Sequence, residues 1–406
     1  MAKGTADLDA LLHRTRPFLA ESFAEIDPVL PAYISAIKNA KAVEYNHRIT
    51  TFFDHLFSVY RMLKLWNAPN SVSLCGLFHS AYADLSIPLF NHDGDRKMVS
   101  DLIGTEAEEF VSVFCTTPRL LIVCDLVIKA YPNDEEIISA LSNSQKSKLQ
   151  KVLPEEGFVV QNWRTGKDVR LSRRFVAIMV LITMADFSEQ LYGYHDGVYD
   201  NYNGRMDFES GGNAWKTLFP GDGKPGLWMN FISRMGTIYN LVTAEENELR
   251  KKEIVGDSKM ELKDADLVIP PIFNNCTVVL SESDELKARD LYWEAVCRKE
   301  CDESAEALLL KACAHNPFIG EPHLVLGQIY LSKEKFGEGE SEVEIGLKLL
   351  LEWGTSWDKR LPWQAWVSWG RVMLQKSREK SWPKTSIGIM RLGLLNWSSL
   401  VCSSSL

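Results

Sequence analysis

His55 and His79 lie 24 residues apart on the apolar faces of two consecutive predicted helices, and a third predicted helix turns Asp186 inward. Buried imidazoles and a buried carboxylate are costly unless each finds a partner, and one divalent metal shared by all three would satisfy them together. In the stretch from Phe52 to Trp66, apolar residues at 52, 56, 59, 63 and 66 keep helical spacing, and His55 sits one turn before Val59 on that stripe. Pro69-Asn70 marks the next helix start, with Asn70 or Ser71 as its N-cap and Val72, Cys75, Gly76, His79 and Tyr82 facing inward. Gly76 permits a close helix approach one turn before His79. In the third helix Phe175, Ile178, Met179 and Ile182 form the buried stripe, which Asp186 and Glu189 extend. A single histidine on an apolar face is more often a core residue bonded to a backbone carbonyl, so the residue types alone leave both readings open.

Other polar groups fall where they could line a pocket. Asn91-His92-Asp93-Gly94-Asp95-Arg96 reads as an Asp-Gly turn, with His92 and Arg96 as alternatives for a ligand or a phosphate contact. Arg48 and Arg205 are further phosphate candidates, with exposed surface arginine as the ordinary alternative. Residues 192–226 are dense in Gly, Asn, Asp and Tyr; this loop is either a lid carrying Tyr194, Tyr199, Tyr202, Arg205 and Trp215 or a disordered excursion.

The elements that must position these groups are helical. Residues 10–192 read almost entirely as helix, helix resumes from Trp228 to Arg250, and residues 253–283 read as a linker with one short strand at Thr277 to Leu280. Helical pattern then fills 284–400, ahead of a tail at 401–406. With 406 residues, 46% hydrophobic and 24% charged, the chain has material for two or three globular domains. A net charge of −9 speaks against a broad nucleic-acid footprint, and no apolar run reaches membrane-spanning length. The first residues lack the regions of a secretory signal and the eight cysteines form no CxxC pair, so a cytoplasmic or nuclear location is expected rather than secretion. No phosphate-binding GxxxxGK[ST] loop and no GxSxG elbow is present.

The stretch Leu74-Cys75-Gly76-Leu77-Phe78-His79-Ser80-Ala81-Tyr82, preceded by His55, resembles the HD superfamily of metal-dependent phosphohydrolases. Within it the stretch is similar to the hydrolase domain of RelA/SpoT-type guanosine-tetraphosphate enzymes, and it is closer still to an uncharacterised HD-like family with a Gly-Leu-Phe-His-Ser core. The likeness continues through Val99 to Phe110, where Gly104 would end one helix and Thr105 with Glu108 would form a capping box for the next. The resemblance implies an HD-like helical domain over 1–252, with His55, His79 and Asp186 as ligands of a divalent manganese, iron or zinc ion. It further implies Asp84 as a general acid or base and a small phosphorylated nucleotide as ligand. The chain departs from the pattern at Ser80, which stands where the superfamily has Asp and exchanges an anionic ligand for a neutral hydroxyl.

Leu326-Gly327-Gln328-Ile329-Tyr330, followed by small residues at Gly339 and Gly346, is similar to the core of a tetratricopeptide (TPR) repeat. One period back lie Ala305, Ala312 and Pro317, and Trp366 to Met373 restores the pattern after an insertion containing Trp357 and Trp363. This resemblance implies a TPR-like α-solenoid over 284–400 that binds a protein or peptide, with most of the crowded tryptophans packing its core. The fold expected is therefore all-α, an HD-like bundle followed by TPR-like repeats. Two functions follow: an interaction adaptor with a degenerate HD-like pocket, which Ser80 favours, or a metal-dependent phosphohydrolase.

Overall fold

The computed structural model describes residues 2–47, 50–82, 89–123, 131, 133–145, 152–154, 156–190, 224–254, 267–273, 279–297 and 303–392. The fold is all-α, with two short antiparallel strand pairs among the described residues. The chain divides into two compact units, one made of residues 12–286 with 352–355, the other of residues 1–11, 287–351 and 356–406.

The first unit opens within α1 (Ala2–Leu19), from residue 12 on, followed by α2 (Phe23–Ile26), α3 (Leu30–Asn39) and the strand pair β1 (Asn46–His47) and β2 (Thr50–Thr51). α4 (Phe52–Leu65) starts at a capping box: Thr51 Oγ1 accepts from the Asp54 amide at 3.2 Å and Asp54 Oδ2 accepts from the Thr51 amide at 3.1 Å. Asn67, at φ 62°, turns the chain out of α4, and α5 (Asn70–Phe78) begins directly behind Pro69. The expected side-chain cap from Asn70 or Ser71 is absent; Pro69 is the N-cap residue, and its fixed φ does the ordering that a side chain would otherwise do. Gly76 lets α5 lie against α4, since a Cβ there would come within 2.2 Å of Leu63 Cδ1.

α6 (His92–Ile103) and α7 (Thr105–Thr116) meet at Gly104, whose φ of 89° ends one helix and admits the next. The expected Asp-Gly turn at 93–94 is instead the first turn of α6, because Asn91 Oδ1 accepts from the amides of Asp93 and Gly94 and so caps a helix. The expected capping box at Thr105 does not form: Glu108 is buried and spends its carboxylate on Arg96 and Tyr82. α8 (Asp134–Gln145) follows, then a hairpin that the helical reading of 10–192 missed, β3 (Phe158–Gln161) paired with β4 (Asp168–Leu171). Its tip docks on the end of α7, where Trp163 Nε1 donates to the Cys115 carbonyl at 2.8 Å and the Trp163 amide to the Thr116 carbonyl at 3.0 Å.

α9 (Arg173–Gln190) is the centre of this unit. Every residue from Arg173 to Glu189 is buried, and the helix packs against α4, α5 and α10 (Met229–Ile254). A helix apolar on all sides is stable only when enclosed, and each fully buried Val, Leu or Ile contributes about 1.5–3 kcal/mol. The segment read as a linker adds to this core through Ile272, Phe273, Val279 and Leu280; the last two are not in a strand. Gly236 on α10 leaves room for the Phe273 ring, which a Cβ would approach to 2.8 Å. Trp66 Nε1 donates to the carbonyls of Glu352 and Trp353 at 3.0 and 3.1 Å, tying residues 352–355 into the unit.

The second unit is built from α11 (Glu282–Cys297, from residue 287 on), α12 (Glu303–His315), α13 (Glu321–Ser332), α14 (Phe336–Trp353, to residue 351), α15 (Trp363–Arg378) and α16 (Ser386–Leu392). Small residues set the helix approach: a Cβ on Gly327 would meet Val343 Cγ2 at 2.4 Å, and one on Gly346 would meet the Gly320 carbonyl at 2.7 Å. Gly370 on α15 packs the same way against Leu347. Trp357, Trp363 and Trp366 are buried in this core.

Candidate metal centre

Each member of the His–His–Asp trio comes from a different element. His55 is on α4, His79 is the first residue beyond α5, and Asp186 is near the end of α9. All three are buried, and one ligand atom from each lies within 4.8 Å of the others. His55 Nε2 is 3.3 Å from His79 Nε2 and 3.2 Å from Asp186 Oδ1, and His79 Nε2 is 3.6 Å from that same oxygen. Ligand atoms about 2.1 Å from one tetrahedral ion stand about 3.4 Å from each other, so the triangle has the size that such an ion requires.

The outer nitrogens fix which way the lone pairs point. His79 Nδ1 lies 2.7 Å from the Gly76 carbonyl, which can only accept, so this nitrogen carries the proton and Nε2 offers its lone pair to the triangle. His55 Nδ1 is hydrogen-bonded to Glu189 on α9, the carboxylate–histidine arrangement that orients metal-ligating imidazoles. With both imidazoles neutral, two nitrogen lone pairs face a carboxylate oxygen that also accepts from Gln190 Nε2 at 3.0 Å, and a cation between them relieves the repulsion. With His55 protonated, its Nε2–H is shared by His79 and Asp186.

The electrostatics follow from burial and charge. Burial alone would depress the His55 imidazole, but Glu189 and Asp186 outweigh it and hold its pKa at about 9. Burial pushes His79 down to about 4 against the pull of Asp186. Burial would raise the Asp186 carboxyl, yet Arg119 and the two histidines reverse this and keep it far below the ordinary carboxylate range. Arg119, just past α7, places Nη1 2.6 Å from Asp186 Oδ2 and rests its guanidinium on Phe114 and Phe187.

The other candidates are placed differently. His92 contacts Asp93 through Nδ1 and Ser112 Oγ through Nε2, at 3.0 and 3.1 Å, with its ring edge against Tyr82. Arg96 grips Glu108 with two N–H groups at 2.7 and 2.8 Å. Both guanidinium and imidazole are thus engaged within the α6–α7 pair, apart from the trio's own contacts. Asp84, Arg48, Arg205 and the aromatic loop at 192–226, up to residue 223, lie outside the described residues.

Sequence reasoning placed Glu189 on the inward stripe without giving it a task, and it missed Arg119 altogether. Glu189 could have been found from its spacing, three residues after Asp186 on one helix face. Arg119 carries no such signal, since it follows Pro118 outside any periodic segment.

Residues 36–119 match the model of a family described as a domain of unknown function (DUF6817). The matched stretch contains His55 and His79 and ends on Arg119, while Asp186 and Glu189 lie beyond it. No curated protein and no solved structure matches the chain.

Proposed function

We propose that the chain is a metal-binding, HD-like protein whose TPR-like helices recruit a protein or peptide partner. The observation that supports the metal site is the triangle of His55 Nε2, His79 Nε2 and Asp186 Oδ1, with edges of 3.2–3.6 Å and its outer nitrogens already committed to Glu189 and Gly76. Two imidazoles and one carboxylate suit manganese, iron or zinc. For the repeat region, support comes from Gly320, Gly327, Gly346 and Gly370, each of which sits where a helix neighbour leaves no room for a Cβ.

A second reading, metal-dependent hydrolysis of a small phosphorylated nucleotide, is favoured by the ligand count. Three protein ligands leave a coordination position for an exogenous oxygen, as catalytic sites do, and a bound ion would supply Lewis-acid polarisation there. On the protein's side, Glu189 would orient His55, Gly76 would orient His79, and the buried wall of α9 would exclude water. Ser80 ranks this second, because the superfamily's additional carboxylate ligand is missing.

Elemental analysis of protein purified without chelator or metal-affinity resin tests the common premise. Near-stoichiometric manganese, iron or zinc in the wild type, lost in His79→Ala, is the expected result. Metal at background level in both proteins would reduce the trio to a hydrogen-bond network. Phosphate release from a nucleotide panel, abolished by the same substitution, would promote the second reading over the first.

A further inference from the structure

Arg119 engages Asp186 differently from the way Arg96 and Arg360 engage their carboxylates. Arg96 uses Nε and Nη2 on both oxygens of Glu108, and Arg360 closes its fork on both oxygens of Asp358. Such two-point contacts are what a guanidinium makes when its task is to neutralise a carboxylate. Arg119 instead makes a single contact, Nη1 to Asp186 Oδ2, and leaves Oδ1 to the histidines and to Gln190 Nε2, which donates to it at 3.0 Å. Among the described residues, its Nε and Nη2 have no hydrogen-bond partner. Its side chain is 21% exposed, against 2% for His55 and Asp186, so it is the charged group through which the trio reaches solvent. Phe114 and Phe187 hold the guanidinium plane, with the cation 4.9 and 5.6 Å from their ring centroids. A fixed, half-used fork beside three convergent ligand atoms is the donor arrangement of an anion site.

We propose that Arg119 and the His55–His79–Asp186 centre together bind a small oxyanion, a carboxylate or a phosphate, spanning from the metal to the free edge of the guanidinium. The inference rests on the metal reading given above. Charge supports it: with a divalent ion on the trio, the ion, Arg119 and the nearby Arg61 outweigh the carboxylates of Asp186 and Glu189, so the centre is cationic and attracts an anion. Ser80 supports it as well, since the carboxylate that the HD pattern would place beside His79 is missing and does not compete for the ion. The planar fork matches carboxylate and phosphate alike.

The test uses full-length protein loaded with manganese and inorganic phosphate as the probe, read by ³¹P line broadening, with bound manganese measured on every sample. Broadening by the wild type should saturate with phosphate. Arg119→Gln at equal manganese content should need roughly 10-fold or more phosphate, the loss of at least one charge-assisted hydrogen bond. Arg119→Lys, which keeps the charge and loses the fork, should fall between them. Acetate as competitor separates the two ligand types: displacement at similar concentration assigns a carboxylate, and persistence of the phosphate signal assigns a phosphate. Identical phosphate dependence in wild type and Arg119→Gln overturns the proposal. So does manganese-loaded wild type that leaves phosphate unperturbed, whichever variants fold. If the wild type holds no manganese, the metal reading itself fails, and the metal analysis tells that failure from the other two.

Discussion

Each of the two units buries a cluster of charged groups, and the clusters are built on opposite principles. In the second unit, Asp358 accepts from Tyr292 Oη at 2.7 Å and from the Arg360 fork, while Glu321 Oε1 accepts from the amides of Trp357 and Asp358 at 2.6 and 3.1 Å. Acceptors there face donors, and the cluster fastens the 356–362 segment onto α13. In the first unit, the outer sides of the trio are already engaged, His79 Nδ1 donating to the Gly76 carbonyl, His55 Nδ1 to Glu189 and Arg119 Nη1 to Asp186 Oδ2, while His55 Nε2, His79 Nε2 and Asp186 Oδ1 face one another. Burial of charge is therefore a poor marker of a ligand site by itself, because a self-satisfied network buries charge equally well. Convergence of three potential metal-ligand atoms whose outer partners are already engaged is the sharper criterion, and it picks one cluster of the two.

Breaking the convergent cluster should have the largest effect. Asp186→Ala strips Arg119 of its counter-charge and the histidines of their shared acceptor, and removing one partner of a buried charged network costs about 3–5 kcal/mol. Denaturant unfolding at pH 7 checks this. A loss below about 1 kcal/mol would mean that the trio is relaxed without its carboxylate, which erases the contrast with the second cluster. Metal linkage sharpens the same contrast: a cation present at 100 times its dissociation constant should stabilise the wild type by about 2.7 kcal/mol. The gain should vanish in His55→Ala and persist in Glu321→Gln, because of these two clusters only the trio brings three metal-ligand atoms together. Equal metal-induced shifts in both variants would locate the ion elsewhere.

How far the sequence reveals these clusters depends on whether their logic is local. Helical spacing finds His55, His79 and Asp186, because an inward stripe is written every three or four residues, and Gly76 is found for the same reason. The all-helical class and the glycines at 327, 339 and 346 are legible likewise. What escapes is anything settled by a distant partner. Arg119 meets Asp186 across 67 residues, and Glu189 meets His55 across 134. Glu108 fits a local capping rule at Thr105, yet Arg96 and Tyr82 offer it a charged and a hydroxyl partner, and that tertiary pairing wins. The β3–β4 hairpin is missed because its strands have four residues each and leave almost no alternation to detect, although Asn162 and Gly166 mark its turn.

The smallest effect is expected in the self-satisfied cluster, where it shows as a change in pH dependence. Burial, together with Asp358, lifts the Glu321 carboxyl from its ordinary 4.5 to about 7, against the opposing pull of the backbone amides. A carboxyl that holds its proton more tightly when folded gives a native state that binds more protons than the unfolded chain between those two values. Its contribution is therefore full below about pH 4.5 and is lost as pH rises through about 7. Glu321→Gln keeps an acceptor oxygen for the Trp357 and Asp358 amides and removes the ionisation. It also buries an NH₂ group, which offsets part of the gain. The variant should thus be more stable than the wild type by about 1–2 kcal/mol at pH 8, with the difference shrinking toward zero or reversing near pH 5. Paired urea titrations from pH 5 to 8 decide it, since other titrating groups contribute equally to both proteins. A constant offset across that range would mean that Glu321 is ionised throughout, held by its two amides alone. The second unit would then contain a buried anion as well, and the distinction between the clusters would rest on the convergence of ligand atoms and no longer on protonation.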